Sequence, residues 1–246
     1  MEIRGRGALV TGASRGLGAA VSRALARAGA RVVLVARGAD VLEDAVAAIR
    51  REGGEAHGLA ADIGAKDDIH GMAGAAAALV GPLELVIHNA STLGPTPLRS
   101  LLDTECEDLV RVLDVNLVGP FRLTKAVAGG MAVRGRGLIV HVTSDASVSA
   151  YATWGAYSLS KAALDHLGRV WAAELAESGV RFLTLDPGEM DTAMHAEAMP
   201  EADRALLADP AVVAARIVDI VRHAERIPSG MRLQASSWRG ALEQAS

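Results

Sequence analysis

Short apolar runs and longer alanine-rich segments alternate along this chain. The runs Ala8–Val10, Arg31–Val35, Leu85–His88, Leu138–Val142 and Arg181–Leu185 are rich in β-branched residues and leucine, and a weaker one spans Glu55–Ala60. Between them lie segments of helical length: Leu17–Ala28, Asp40–Glu52, Asp67–Val80, Thr104–Met131 and Thr153–Glu177. Continuous apolar runs are the mark of parallel strands buried on both faces. Strands alternating with helices predict an α/β fold, a doubly wound parallel sheet with helices on both faces. No linker, repeat or low-complexity tract divides the chain, so residues 1–246 read as a single domain. Ligands of such sheets bind beyond the carboxyl ends of the strands, and candidate chemistry is sought there.

Composition narrows the function classes. Half of the residues are apolar and 22% are charged, which excludes a disordered chain. A net charge of −4 gives no basic field for nucleic acid or an anionic membrane, and neither partner is expected. Cys106 is the single cysteine, so no internal disulfide is possible; this fits a reducing, cytoplasmic setting. The start MEIRGRGALV enters the first strand with no long apolar leader. The most apolar window, Gly71 to Ile87, is broken by Gly81, Pro82 and Glu84, so no membrane span is expected. The seven histidines show no ligand-like spacing, and no metal site is expected.

The stretch TGASRGLG, Thr11 to Gly18, falls between the first strand and the first helix. Gly12, Gly16 and Gly18 follow G-x-x-x-G-x-G. Glycine there permits the turn, lets a pyrophosphate approach the backbone and presents a helix N-terminus to negative charge. Folds that bind NAD usually close the second strand with an acid that holds the ribose 2′-hydroxyl. Here that strand ends in Ala36 followed by Arg37. A small uncharged residue leaves room, and a guanidinium grips phosphate in a planar fork. With Arg15 in the glycine loop, two cations would meet at a 2′-phosphate. The expected cofactor is therefore NADP(H).

Tyr157-Ser-Leu-Ser-Lys161 sets a tyrosine and a lysine at i and i+4, on one helix face. Free tyrosine titrates near ~10, and a nearby ammonium lowers that value. The phenol can then give a proton to a carbonyl oxygen or take one from an alcohol. Ser144 closes the run IVHVTSD at a strand's carboxyl end, where its hydroxyl can hold the same oxygen. Asn116 lies in the predicted helix Thr104–Met131, four residues before Pro120. Proline lacks an N–H, so the Asn116 carbonyl loses its helical partner and a kink is predicted.

These motifs, in this order, resemble the short-chain dehydrogenase/reductase family. The resemblance spans roughly Gly5 to Val221 and adds Asp62 in ADI, HNAS (88–91), Asn116 in LDVNLVG and DPGEMDT (186–192). Ser144 precedes Tyr157 by thirteen residues, the usual family spacing. The resemblance implies a Rossmann-like fold with a substrate loop and helix at about 188–210. By position, Asn116, Ser144, Tyr157 and Lys161 correspond to the catalytic tetrad. Gly12, Ser14, Arg15, Gly16, Leu17 and Gly18 form the cofactor loop. Asp62 and Ile63 correspond to adenine contacts, and Asn89 and Ala90 to the stretch passing the cofactor. Pro187, Gly188, Met190 and Thr192 correspond to the nicotinamide side, and Tyr157 and Lys161 also meet the cofactor. The resemblance further implies a water on the Asn116 carbonyl that links Lys161 to solvent, and a homodimer or homotetramer. Four positions depart from the family. His88 and Ser91 flank Asn-Ala where Asn and Gly are usual, Asp186 replaces the Asn before Pro-Gly, and Glu189 follows that pair.

The resulting expectation is an NADP(H)-dependent oxidoreductase passing hydride between nicotinamide and a ketone, aldehyde or alcohol. The alternatives are an epimerase or dehydratase on the same fold, or a cofactor-sensing binding protein. Asp145 and Glu189 are expected near the nicotinamide face, with Tyr151, Trp154 and Met190 as apolar walls. Such a pocket suits a polar or cationic substrate. The competing expectation is that Asp145 only caps a turn and Glu189 pairs with an arginine.

Overall fold

The structure, a computed structural model, describes residues 1–240; the predicted domain extends to Ser246, and 241–246 lie outside the described residues. Seven strands form one parallel sheet: β1 (Gly7–Thr11), β2 (Arg31–Ala36), β3 (Glu55–Ala60), β4 (Leu83–His88), β5 (Gly137–Val142), β6 (Val180–Asp186) and β7 (Met231–Gln234). Their order is β3-β2-β1-β4-β5-β6-β7, so the winding reverses between β1 and β4. Within each strand successive residues point to opposite faces. Ala8 and Val10 join one core cluster while Leu9 joins the other, and Leu138 and Val140 part from Ile139 in the same way. Both faces are thus dry, which explains the unbroken apolar runs.

Helices α1 (Gly16–Arg27), α2 (Ala39–Arg51) and α8 (Pro210–His223) cover one face through residues such as Val21, Leu25, Val46 and Ile217. Helices α3 (Asp68–Val80), α5 (Gly119–Val133) and α6 (Gly155–Glu174) cover the other, with Met72, Leu123, Met131 and Ala172 inward. A short α4 (Cys106–Leu113) leads into α5, and α7 (Ala193–Ala198) crosses above the carboxyl edge of the sheet beside Tyr157. The predicted elements are recovered to within a few residues, but α8 and β7 lie beyond the pattern read from the sequence.

The predicted helix Thr104–Met131 is present as one continuous helical run, Cys106–Val133, in which α4 passes into α5 through a π-helical turn at Asp114–Val118. The Gly119 N–H reaches back to the Asp114 carbonyl, five residues away. Pro120 follows this turn and has no N–H to donate to the Asn116 carbonyl, four residues back. The distortion at Asn116 takes the form of a π-bulge, a feature common at functional sites. Gly119 permits the bulge to dock: a Cβ there would lie 2.4 Å from the Ile63 carbonyl oxygen.

Candidate active site

The winding reversal opens a crevice at the carboxyl ends of β1 and β4, and the glycine loop occupies it. Gly12 and Gly16 adopt φ of +65° and +55°. A Cβ on Gly18 would lie 2.2 Å from the Gly12 carbonyl oxygen and 2.5 Å from the Asn89 amide nitrogen. Asn89 fastens this loop. Its amide donates to the carbonyls of Thr11 and Gly12, both at 3.0 Å. The Thr11 hydroxyl in turn accepts the backbone N–H groups of Asn89 and Ala90 at 3.1 Å. The Asn-Ala pair is thus a brace between the ends of β4 and β1, and Thr11 is a participant the sequence reading missed.

Helix α1 opens on this loop with no side-chain cap at Arg15 and no acid in its first turn. Its free N–H groups face the crevice, and an anion there is favoured by the helix dipole. Thr192, from the loop after β6, closes the other side; its methyl lies 3.4 Å from a Cβ built on Gly16. A cradle a Cβ would fill, an uncapped helix N-terminus and a facing loop fit a dinucleotide pyrophosphate.

Arg15 and Arg37 are exposed beyond the ends of β1 and β2, the paired strands at this edge. Nearby Arg23, Arg27 and Arg50 are paired with Glu52 or Glu43, whereas Arg15 and Arg37 form no ion pair among the described residues. Asp62 accepts the Gly64 N–H at 2.9 Å, which shapes the loop after β3. The Ile63 side chain is buried in the core, leaving its backbone to face the π-turn.

Helix α6 carries Tyr157 and Lys161 one turn apart, both buried. Trp154 meets the Tyr157 ring edge-on, with centroids 5.7 Å apart. Lys161 Nζ donates to the Val142 carbonyl at 2.9 Å and lies 5.5 Å from the Tyr157 ring centroid. The expected lowering of the phenol is not what this environment produces. Burial pushes Tyr157 up to about 12, against a downward pull from the Ser144 and Ser91 hydroxyls. Burial brings Lys161 down to about 8, opposed by Asp165. Desolvation is the largest influence on the phenol, so it holds its proton at neutral pH.

Ser144 caps the turn after β5. Its hydroxyl accepts the Ala146 N–H at 3.2 Å and donates to the Asp145 carboxylate at 2.9 Å. Asp145 also accepts from the Tyr151 hydroxyl at 2.7 Å and the Ala146 N–H at 2.9 Å. Burial raises the Asp145 carboxyl, but the hydrogen bonds from Tyr151 and Ser144 outweigh it and the net shift is downward. Asp145 therefore does cap a turn, as one expectation had it. Glu189 lies 3.9 Å from His195, not beside an arginine; the arginine of that segment, Arg204, pairs with Asp191 at 2.7 Å.

Asn116 is wholly buried on the π-turn, and its side-chain amide is fully used. It accepts from Thr92 N–H at 2.8 Å and from the Ser91 hydroxyl at 3.2 Å. It donates to the Thr92 carbonyl and to the Ser160 hydroxyl, both at 2.9 Å. Asn116 thus ties the loop after β4 to α6 beside Tyr157. Ser91, where the family usually has glycine, adds a hydroxyl facing both Asn116 and Tyr157.

A further departure, Asp186, lies beneath the site. Arg232, on β7, bridges the Asp165 carboxylate on α6, the Asp186 carboxylate at the end of β6 and the Ser144 carbonyl, at 3.1, 3.1 and 3.0 Å. Asp186 also accepts the Gly188 N–H at 3.0 Å, which sets the Pro187-Gly188 turn. The sequence reading missed Arg232; an acid in place of the family's asparagine at 186 was the signal that a cation lay opposite.

His88 and His141 are neighbours on β4 and β5, with ring centroids 5.2 Å apart. Burial holds both neutral: His141 falls to about 3, with the Lys161 charge adding to the effect, and His88 falls well below its ordinary value. Both pKa values are depressed on folding, so the unfolded chain binds more protons below pH ~6.5. Stability should be full above that pH and decline as pH falls towards 3, by about 1.4 kcal/mol per unit for each histidine. Denaturant melts between pH 7 and 4.5 read this directly. A flat profile in wild type, or an unchanged slope in His141→Phe, would contradict it.

Among the described residues no group of three or more His, Cys, Asp and Glu could hold a metal ion. No described helix is long and apolar enough to cross a membrane.

Comparison with known proteins agrees with this geometry. Residues 6–203 match the short chain dehydrogenase family. The chain is 38% identical over 205 residues to Dehydrogenase/reductase SDR family member 4 of Bos taurus, covering 83% of this chain and 70% of the relative. A metagenomic short-chain oxidoreductase solved in complex with NADP superposes with a TM-score of 0.80 at 29% identity, over 95% of this chain and 99% of that one. A 7α-hydroxysteroid dehydrogenase complexed with NADH and 7-oxo glycochenodeoxycholic acid superposes with a TM-score of 0.86 at 28% identity, over 95% and 94%. The chain belongs to the short-chain dehydrogenase/reductase family. It is an oxidoreductase of the class that interconverts CH–OH and C=O groups with a nicotinamide cofactor.

Proposed function

We propose that this protein is an NADP(H)-dependent carbonyl reductase, or the reverse alcohol dehydrogenase. The observation that carries the reading is a protonated, buried Tyr157 sharing one cavity with Ser144. A bound nicotinamide supplies or accepts the hydride at the carbonyl carbon. Tyr157 gives its proton to the carbonyl oxygen, and Ser144 holds that oxygen by a hydrogen bond. Lys161, held by the Val142 carbonyl, stabilises the phenolate left behind and meets the nicotinamide ribose. Asn116 orders the loop and helix that carry these groups, and its π-turn is where a relay water would reach Lys161. Gly12, Ser14, Gly16, Leu17 and Gly18 hold the pyrophosphate, Asp62 and Ile63 the adenine, and Pro187, Gly188, Met190 and Thr192 the nicotinamide side. The segment 188–210 forms the substrate side.

The outer surfaces of α4, α5 and α6 expose Val110, Phe121, Leu159 and Val170, a face suited to a second copy of the chain. The intact Ser-Tyr-Lys set favours turnover over cofactor sensing.

The preference for NADP rests on Arg15 and Arg37. Arg37→Asp should weaken NADPH binding about ten- to a hundredfold and shift preference towards NADH. NADPH consumption against a panel of ketones and aldehydes, with both cofactors titrated, tests activity and preference together. No consumption with any carbonyl overturns the activity. An Arg37→Asp enzyme with unchanged NADPH affinity overturns the cofactor assignment.

A further inference from the structure

We infer that the carbonyl substrate carries an ammonium group, and that carboxylate-bearing carbonyls are poor substrates; this rests on the reductase reading above. The cavity that reaches Ser144 and Tyr157 has a volume of about 280 Å³, small for a ligand pocket. Trp154, Met190, Met194 and Met199 supply apolar walls, so the body of the substrate is apolar. Three carboxylates, Asp145, Asp186 and Glu189, also line it, of which Asp186 is paired with Arg232, and no lysine or arginine lines it.

Nearby guanidinium groups are spent elsewhere. Arg204 is held by Asp191, and Arg232 by Asp165 and Asp186. Asp145 is held as an anion by two hydroxyls and an N–H, with no cation beside it among the described residues. Glu189 has only the His195 imidazole, at 3.9 Å, beyond hydrogen-bond reach. The His195 Nε2 atom is itself buried in this wall without a hydrogen-bond partner. A buried polar nitrogen without a partner calls for one. The cavity therefore presents two acids without a cation partner, Asp145 and the largely exposed Glu189, on an apolar, partly aromatic frame. A primary or secondary ammonium brings N–H donors for these acceptors and a charge that matches the acids. A carboxylate brings like charge and no donor.

The test uses three acetophenones that differ only at the para position: aminomethyl, ethyl or carboxymethyl. One methylene insulates the carbonyl from the charge. kcat/KM should be about tenfold higher for the ammonium than for the ethyl compound, as expected for one charge-assisted hydrogen bond, and lower still for the carboxylate. Within Glu189→Gln and Asp145→Asn, the ratio of ammonium to ethyl turnover should fall towards one, whatever each variant's absolute rate. Calorimetric binding of the same three compounds to the NADP-bound protein gives a readout independent of turnover. A carboxylate compound that binds or reacts as well as the ammonium one overturns the inference, as does a charge preference untouched in both variants. If no carbonyl compound is reduced but the ammonium compound alone binds, the reductase reading fails and the cavity's charge preference stands.

Discussion

Tyr157→Phe is expected to reduce turnover about 10²–10⁴-fold while cofactor affinity stays nearly unchanged. The substitution removes the one group placed to move a proton at the substrate oxygen. Almost nothing else changes: the ring keeps its edge contact with Trp154, and Lys161 keeps its bond to the Val142 carbonyl. Burial holds the phenol at about 12, so the wild-type group is a proton donor throughout the neutral range. Ser144 cannot substitute for it, because an alcohol hydroxyl can hold the substrate oxygen by a hydrogen bond but is a far weaker acid than a phenol. Steady-state rates with NADPH and a reducible ketone, paired with fluorescence titration of NADPH, separate the two effects. A phenylalanine variant that retains a near wild-type rate would sink the mechanism. A variant that loses cofactor binding in proportion to rate would place Tyr157 in cofactor binding rather than proton transfer.

The site was more legible in the sequence than its support. Gly18, Tyr157 and Lys161 announce themselves because each satisfies a local rule: close backbone approach, or i and i+4 on one helix face. Their partners do not. Asn89 reads as one residue of a motif, yet its work is to hold two carbonyls of a loop far away in sequence. The π-turn at Asn116 is invisible to a 3.6-residue period, since one extra residue in a long apolar helix leaves the pattern almost intact. Helix α8 has a legible stripe in Val213, Ile217 and Val221, whereas β7 has four residues of which Leu233 alone is buried. The sign of the Tyr157 shift was unreadable for a different reason. Pairing with lysine is a sequence property, but desolvation belongs to the finished fold, and here desolvation dominates.

Arg232→Met should be the most destabilising single change near the site, by about 3–5 kcal/mol. The side chain is little exposed and its carboxylate partners Asp165 and Asp186 less so, at 17%, 4% and 5%. Removing the guanidinium leaves two buried carboxylates facing each other and takes a donor from the Ser144 carbonyl. For a domain of this size the melting temperature should fall by about 6–20 °C. Breaking a buried pair from one side is costly, whereas replacing all charges together is often neutral. A triple variant, Arg232→Met with Asp165→Leu and Asp186→Asn, should therefore recover most of the lost stability. It should not recover turnover, because the Ser144 carbonyl and the Pro187-Gly188 turn still lack the bridge that joins β5 to β6. The expected loss appears in kcat, with the KM for NADPH little changed. If the triple variant regains both stability and kcat, Arg232 serves the fold alone. If Arg232→Met melts like wild type, the buried bridge is not holding these three elements together.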